Sequence, residues 1–288
     1  MTDADFSHFD VERMTPQYWR VTFDHEPINT VTADTVSELS RLVDAIESDD
    51  DLTVVVFASG NPDFFLAHYD TEGDSAKTVS MALGPTGMHP WLDLTARLSR
   101  APVVSIASIR GRARGAGSEF VLACDIRLAG DDAILAQFEV GTGVVPGGGP
   151  MARLARLVGR GRALEVLLVA DDIDAQRAER YGYVNRVVPD DELDEETDRI
   201  ARRLASFDKQ AIAQTKGFVD AVTLPPDEEL PPALAAFFAS AGRPATQARM
   251  AALASHGLGR DSELERRLGE LVTLAGDAQT TNTPRRSQ

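Results

Sequence analysis

The chain reads as an α/β protein with parallel strands and a helical C-terminal part, on three observations. Apolar runs at 52–58, 103–109, 126–129 and 134–136 alternate with stretches whose apolar residues recur at helical spacing. That alternation is the pattern of parallel strands joined by crossover helices. The first two runs are almost continuously apolar, which suits strands covered on both faces. Beyond about residue 140 the patterns are mostly helical, and no internal repeat of fixed period is present.

In chain order, residues 18–23 form a strand that ends in the turn His25-Glu26-Pro27. Thr32 caps the next helix, where Val36, Leu39, Val43 and Ile46 make one apolar face before acidic residues 49–51 stop it. Residues 52–58 are a buried strand, and 59–63 are a loop leading into Phe64-Phe65-Leu66-Ala67-His68-Tyr69-Asp70. Residues 71–88 carry Gly73, Gly84, Pro85 and Gly87 without a clear pattern and read as a mobile segment over a pocket. Trp91, Leu94 and Leu98 mark a helix that Pro102 ends before strand 103–109. After strands 126–129 and 134–136 come helices at 151–157, 160–169 and 175–181, then a short strand at 184–188. Leu193, Thr197, Ile200 and Leu204 share one face of a further helix, and 211–222 form another. Pro225-Pro226 and Pro231-Pro232 bracket a break, after which 233–241, 246–255 and 262–275 read as helices. The expected units are a core over 1–205 that carries the site, a helical oligomerisation region over 206–275, and a polar, disordered tail over 276–288.

Composition excludes several functions. The 288 residues suffice for one large domain or a domain with an appendage, and 43% hydrophobic residues permit a sizeable core. The net charge is −16 and only three of 29 basic residues are lysines (Lys77, Lys209, Lys216), which disfavours nucleic acid as a partner. Arg110, Arg112 and Arg114 either form a local basic patch for a polyanion or pair with carboxylates. The single cysteine, Cys124, allows no internal disulfide and no Cys-rich zinc site, and it reads as a small buried hydrophobe. Five scattered histidines include no His-x-x-x-His pair, so no metal is expected. No apolar run is long enough to span a membrane, and residues 1–14 lack a leader pattern; a cytoplasmic protein without a membrane partner is expected.

Two glutamates, 20 residues apart and each in a glycine-bearing loop, point to chemistry. Glu119 lies in Gly111-Arg112-Ala113-Arg114-Gly115-Ala116-Gly117-Ser118-Glu119. Glu139 lies in Gln137-Phe138-Glu139-Val140-Gly141, ahead of Pro146-Gly147-Gly148-Gly149. Each follows a strand, so both are delivered to loop ends over a β scaffold. A carboxylate pair there suits acid–base work, and the glycines free backbone N–H groups for a developing negative charge. No Gly-Lys-Ser/Thr completes a Walker motif, no dinucleotide fingerprint follows Gly115-Ala116-Gly117, and Ser118 lacks a Gly-x-Ser-x-Gly elbow.

These segments, with Phe65 to Asp70, Ala101-Pro102-Val103-Val104, Cys124-Asp125, Arg153-Leu154, Val158-Gly159-Arg160 and Gly182-Tyr183-Val184-Asn185-Arg186-Val187-Val188-Pro189, appear in the order and spacing of the crotonase superfamily. From about residue 18 to 222 the chain resembles its enoyl-CoA hydratase/isomerase group. The resemblance implies a crotonase-like ββα spiral with a C-terminal helical region, assembled as a trimer or dimer of trimers. It implies an acyl-CoA thioester substrate and no cofactor besides that coenzyme A. By position, the Tyr69 and Ala116 N–H groups would form an oxyanion hole, Glu139 would exchange the proton at Cα, and Glu119 would hold and deprotonate the water added at Cβ. Ala67, His68, Asp70, Gly115, Gly117 and Gly147 would bind substrate. Retention of both glutamates favours hydration of a 2-enoyl-CoA; other enolate chemistry (isomerisation, decarboxylation, C–C cleavage) and a non-catalytic subunit are the alternatives.

The chain also departs from that pattern. His68 stands where the family usually has glycine, and either narrows the acyl pocket as a titratable group or turns to solvent or a subunit interface. Phe138 replaces a common proline, Pro150-Met151-Ala152 replaces Gly-Thr-Gln, and a lysine-bearing C-terminal helix for the coenzyme A phosphates is not evident. Arg260, Arg266 and Arg267 are the candidates to replace it.

Overall fold

One unit recurs through the first half of the chain: a strand in one sheet, a strand in a second sheet, then a helix. The computed structural model describes residues 6–276 except 72, 74 and 275, so the expected tail, Gly276 apart, lies outside the described residues. An antiparallel pair, β1 (Phe9–Thr15) and β2 (Tyr18–Phe23), precedes α1 (Ala33–Ser48). The first turn of the spiral is β3 (Val54–Ser59), β4 (Phe64–Leu66), the short α2 (Ser75–Val79) and α3 (Pro90–Arg100). The second is β5 (Val104–Ile109), β6 (Arg112–Arg114) and α4 (Ala116–Ala123); the third is β7 (Ile126–Gly130), β8 (Ile134–Ala136) and α5 (Glu139–Thr142). Next come α6 (Pro150–Val158), α7 (Arg160–Val169), β9 (Ile173–Asp174), α8 (Ala175–Tyr181), β10 (Arg186–Val188), α9 (Leu193–Ala205) and α10 (Lys209–Thr223). The chain closes with α11 (Pro231–Ala241), α12 (Pro244–Ser255), α13 (Glu263–Arg266) and α14 (Leu268–Leu271). The sheets run β1-β2-β3-β5-β7-β10 and β4-β6-β8-β9, parallel except for the β1–β2 and β8–β9 pairs. This is the crotonase-like ββα spiral.

Local chemistry sets these elements. Thr32 starts α1 with a reciprocal cap: its hydroxyl accepts from the Thr35 N–H at 3.1 Å, and Thr35 Oγ1 accepts from the Thr32 N–H at 3.2 Å. Val36, Leu39, Val43 and Ile46 are all buried, each worth roughly 1.5–3 kcal/mol relative to exposure. Between the layers, the Phe120 ring of α4 meets Phe57 of β3 edge-on at 4.9 Å and Phe23 of β2 at 5.5 Å. That contact seats the helix carrying Glu119 on the larger sheet.

Three expectations change. β1 was not foreseen: its outward Asp10, Glu12 and Arg13 give an edge strand a mixed pattern. The single helix expected over 262–275 is two, α13 and α14. The Arg266 carbonyl accepts from Arg112 Nε at 2.9 Å and the Glu265 carbonyl from Arg114, so these groups leave the helical ladder. The C-terminal helices, expected as an oligomerisation region, also cover a core of their own chain: Leu253, Leu264 and Leu268 cluster with Phe138, Leu258 and Val272. α10 instead buries none of its residues and exposes Phe218 (81%) and Val222 (83%). Among the described residues no helix is long and apolar enough to cross a membrane.

Candidate active site

Glycine geometry brings the two carboxylates to one cavity. Gly115, between β6 and α4, sits at φ 49°, and a Cβ there would press on the Phe138 ring, Glu139 Oε1 and His68 Cβ at 3.1–3.2 Å. Its N–H donates to the Ala136 carbonyl at 3.0 Å, and the Gly117 N–H donates to the Ala67 carbonyl at 3.0 Å. These bonds stitch the ends of β8, β6 and β4 together. A cavity of about 280 Å³ opens where they meet, at the small end for small-molecule sites. His68, Tyr69, Asp70, Gly115, Ala116, Glu119, Glu139 and Gly147 line it, while Ala67 and Gly117 lie behind its wall as the backbone seam. Thr71, Thr78 and Val79, from the segment expected to cover a pocket, also line it, and α11 adds Leu234, Phe237 and Phe238.

The two carboxyls have different surroundings. Glu119 Oε2 accepts from the Trp91 indole N–H at 2.8 Å, and Oε1 accepts from the Gly148 N–H at 2.7 Å. Gly148 must be glycine, because a Cβ there would collide with that carboxylate and the indole. Burial raises the Glu119 pKa, while both N–H bonds and the charge of Arg153 pull against the rise. Glu139, 9% exposed, is pushed up to about 8, first by burial and then by the charge of Glu119. Its support is the Gln137 amide. With the NH₂ turned toward Glu139 it donates to both carboxyl oxygens, at 3.2 and 3.0 Å, while its carbonyl accepts from Ser118 Oγ at 2.9 Å. Ser118 in turn is bonded to the Tyr183 hydroxyl.

Two residues of the cavity lining carry unmatched backbone donors. The Val31 N–H donates to the His68 carbonyl at 3.0 Å, and the Asp70 N–H donates to the Val31 carbonyl at 2.8 Å. The intervening Tyr69 N–H has no acceptor among the described residues, and neither has the Ala116 N–H at the first turn of α4. Free N–H groups at a helix start favour negative charge.

His68 resolves against both solvent and a subunit interface: it is 2% exposed and bonded to Glu265. The arginines suggested for a polyanion are engaged within the chain. Arg110 pairs with Asp190 and Asp194, Arg112 holds the Arg266 and Asp63 carbonyls, and Arg114 makes a bidentate pair with Asp172. Arg266 pairs with Asp63 and Asp261, and Arg267 with Glu263 and Glu270. Among the described residues no group of three or more His, Cys, Asp or Glu side chains is placed to hold a metal.

Sequence reasoning missed four contributors. Trp91 was read only as a helix-face residue, although a buried indole N–H needs a partner, which was the available signal. Gln137, the Gly148 amide and Glu265 carried no signal of their own, since their roles depend on contacts distant in the chain.

The chain is similar to known proteins of one family. The profile of the enoyl-CoA hydratase/isomerase family matches residues 19–238. The short-chain-enoyl-CoA hydratase of Clostridium acetobutylicum is 34% identical over 191 residues, 66% of this chain and 72% of that protein. The crotonyl-CoA hydratase of Syntrophomonas wolfei gives the same identity and coverage. A solved Streptomyces avermitilis structure, described as a candidate enoyl-CoA hydratase, superposes with a TM-score of 0.89 at 38% identity, over 94% of this chain and 98% of that one.

Proposed function

The chain belongs to the enoyl-CoA hydratase/isomerase family, and from that premise we propose that it adds water across the double bond of a 2-enoyl-CoA. The observation that carries the reading is the unequal pair of carboxyls at one cavity. Glu119, held by two N–H donors, is the member suited to remain ionised; Glu139, raised to about 8, is the member suited to carry a proton at neutral pH.

In this reading a water bound between the carboxyls gives a proton to Glu119 as its oxygen attacks Cβ. The electron pair of the double bond moves onto the thioester, and the enolate oxygen takes the Tyr69 and Ala116 N–H groups. Glu139 delivers its proton to Cα, and proton exchange between the carboxyls and solvent restores the start. No lysine or arginine lines the cavity among the described residues, and its wall carries Leu234, Phe237 and Phe238. An uncharged, apolar acyl group fits that lining. The exposed apolar face of α10 supports assembly with further copies of the chain, as a trimer or dimer of trimers.

The test is hydration of a panel of 2-enoyl-CoAs, followed by loss of the conjugated-thioester absorbance. Glu119→Gln and Glu139→Gln keep the size and remove the acid–base group, and each is expected to lower the rate roughly 10²–10⁴-fold. The double variant should fall little further, because the two act as a unit. Wild-type rates in both single variants would sink the assignment.

A further inference from the structure

His68 and Glu265 stand 197 residues apart in the chain and meet at the cavity wall. The imidazole Nε2 lies 2.7 Å from Glu265 Oε1, and Nδ1 lies 2.7 Å from the Tyr69 carbonyl. Both facing atoms are acceptors. A neutral imidazole has only one N–H, so with Glu265 ionised the two contacts take the doubly protonated ring; the paired charges raise the His68 pKa against burial and lower that of Glu265. Glu265 Oε1 also accepts from the Gly259 N–H at 2.6 Å, which marks it as an ionised acceptor. The side chains are 3% and 1% exposed.

A buried ion pair is a poor device for stability, because desolvating two charges offsets their attraction. Here Glu265 Oε2 also meets no donor among the described residues. What the pair defines is position. The Nδ1–H grips the carbonyl of Tyr69, a residue that lines the cavity and whose own N–H has no acceptor among the described residues. On the other side, α13 is fastened to β6 by Arg112 on the Arg266 carbonyl and Arg114 on the Glu265 carbonyl, with Arg114 itself locked to Asp172.

We propose that Glu265 and His68 are positioning residues, a latch through which the C-terminal segment aims the Tyr69 N–H at the substrate's thioester oxygen. The latch rests on the oxyanion-hole reading of the site. It acts through the backbone, so its effect is felt where charge on that oxygen is greatest, in the transition state, and not in substrate binding.

Glu265→Leu removes the charge and both hydrogen-bonding oxygens; His68→Phe removes both ring hydrogen bonds. In each, kcat for the best 2-enoyl-CoA is expected to fall roughly 10–100-fold, the scale of a misaimed group, with KM changed by less than about threefold. A second readout does not depend on turnover. A conjugated 2-enoyl thioester bound to the wild-type protein should show red-shifted absorption as the donors polarise its carbonyl, and both variants should lose most of that shift. A purely structural role would lower the melting temperature and leave kcat and the spectrum of the folded protein unchanged. That result in either folded variant overturns the latch, as does a wild-type complex without a red shift. A wild-type complex that shows the shift but hydrates no enoyl-CoA defeats the hydratase reading alone, and the loss of shift in the variants then decides the latch.

Discussion

Glu119 and Glu139 are the same side chain in two settings, and the difference lies in the charges beside them. Burial penalises the charge on both and each accepts from N–H donors, but Glu119 also has the charge of Arg153 in its favour, whereas Glu139 has the charge of Glu119 against it. Trp91→Phe removes one donor and leaves the packing nearly intact. A hydrogen bond to a charged group is worth enough that hydration should slow roughly 10–100-fold. The acidic limb of the kcat/KM profile should also move to higher pH, as Glu119 becomes harder to ionise. An unchanged limb would show that the indole does not hold the base. The alkaline side belongs to Glu139, which must carry a proton to deliver it. Hydration should decline as pH rises through about 8, with apparent values that belong to the pair. Stability follows the same sign. The folded carboxyl binds its proton more tightly than the unfolded one, so its contribution is complete below 4.5 and is lost as pH rises through 8. A pH–rate profile and melting temperatures over that window check both.

Among the elements, α4 joins the larger sheet to the cavity: Phe120 anchors it, and Glu119 and its first residue, Ala116, line that cavity. Ala116 is the first residue of that helix, where proline is tolerated because the N–H has no helical acceptor. Ala116→Pro should therefore fold and assemble yet lose roughly 10²–10³-fold in turnover, the cost of one oxyanion donor. Tyr69→Ala, which keeps its N–H, should be far milder. Near-normal turnover in the folded proline variant would remove Ala116 from the hole. Elements of this kind were legible in the sequence because their signals are local: the Thr32 cap, the three-and-four spacing of α1, and the glycines flanking Glu119. β1 and the division of α13 from α14 were not. One depends on an edge position that tolerates charge, the other on two arginines more than 150 residues upstream that take the helix carbonyls. Trp91 and Glu265 escaped for the same reason, since the carboxylate and the histidine they hold lie 28 and 197 residues away.

For the whole molecule, the exposed apolar residues among those described include Phe218 and Val222 of α10 and Leu168 and Val169 at the end of α7, besides Val79 and Leu83. A second copy is the expected cover. Light scattering at micromolar concentration should give the mass of a trimer or hexamer, and Phe218→Asp with Val222→Asp should shift it toward the monomer. A monomeric wild-type protein would contradict this. The chain's only other tryptophan, Trp19, is buried in the larger sheet beneath the Arg13 guanidinium, 4.6 Å from its ring, and away from the cavity. Trp91, by contrast, stands in the cavity wall with its N–H on the Glu119 carboxylate. One indole thus stands at the cavity and the other apart from it, so tryptophan emission is expected to change when an acyl-CoA fills the cavity, and Trp91→Phe is expected to remove that change.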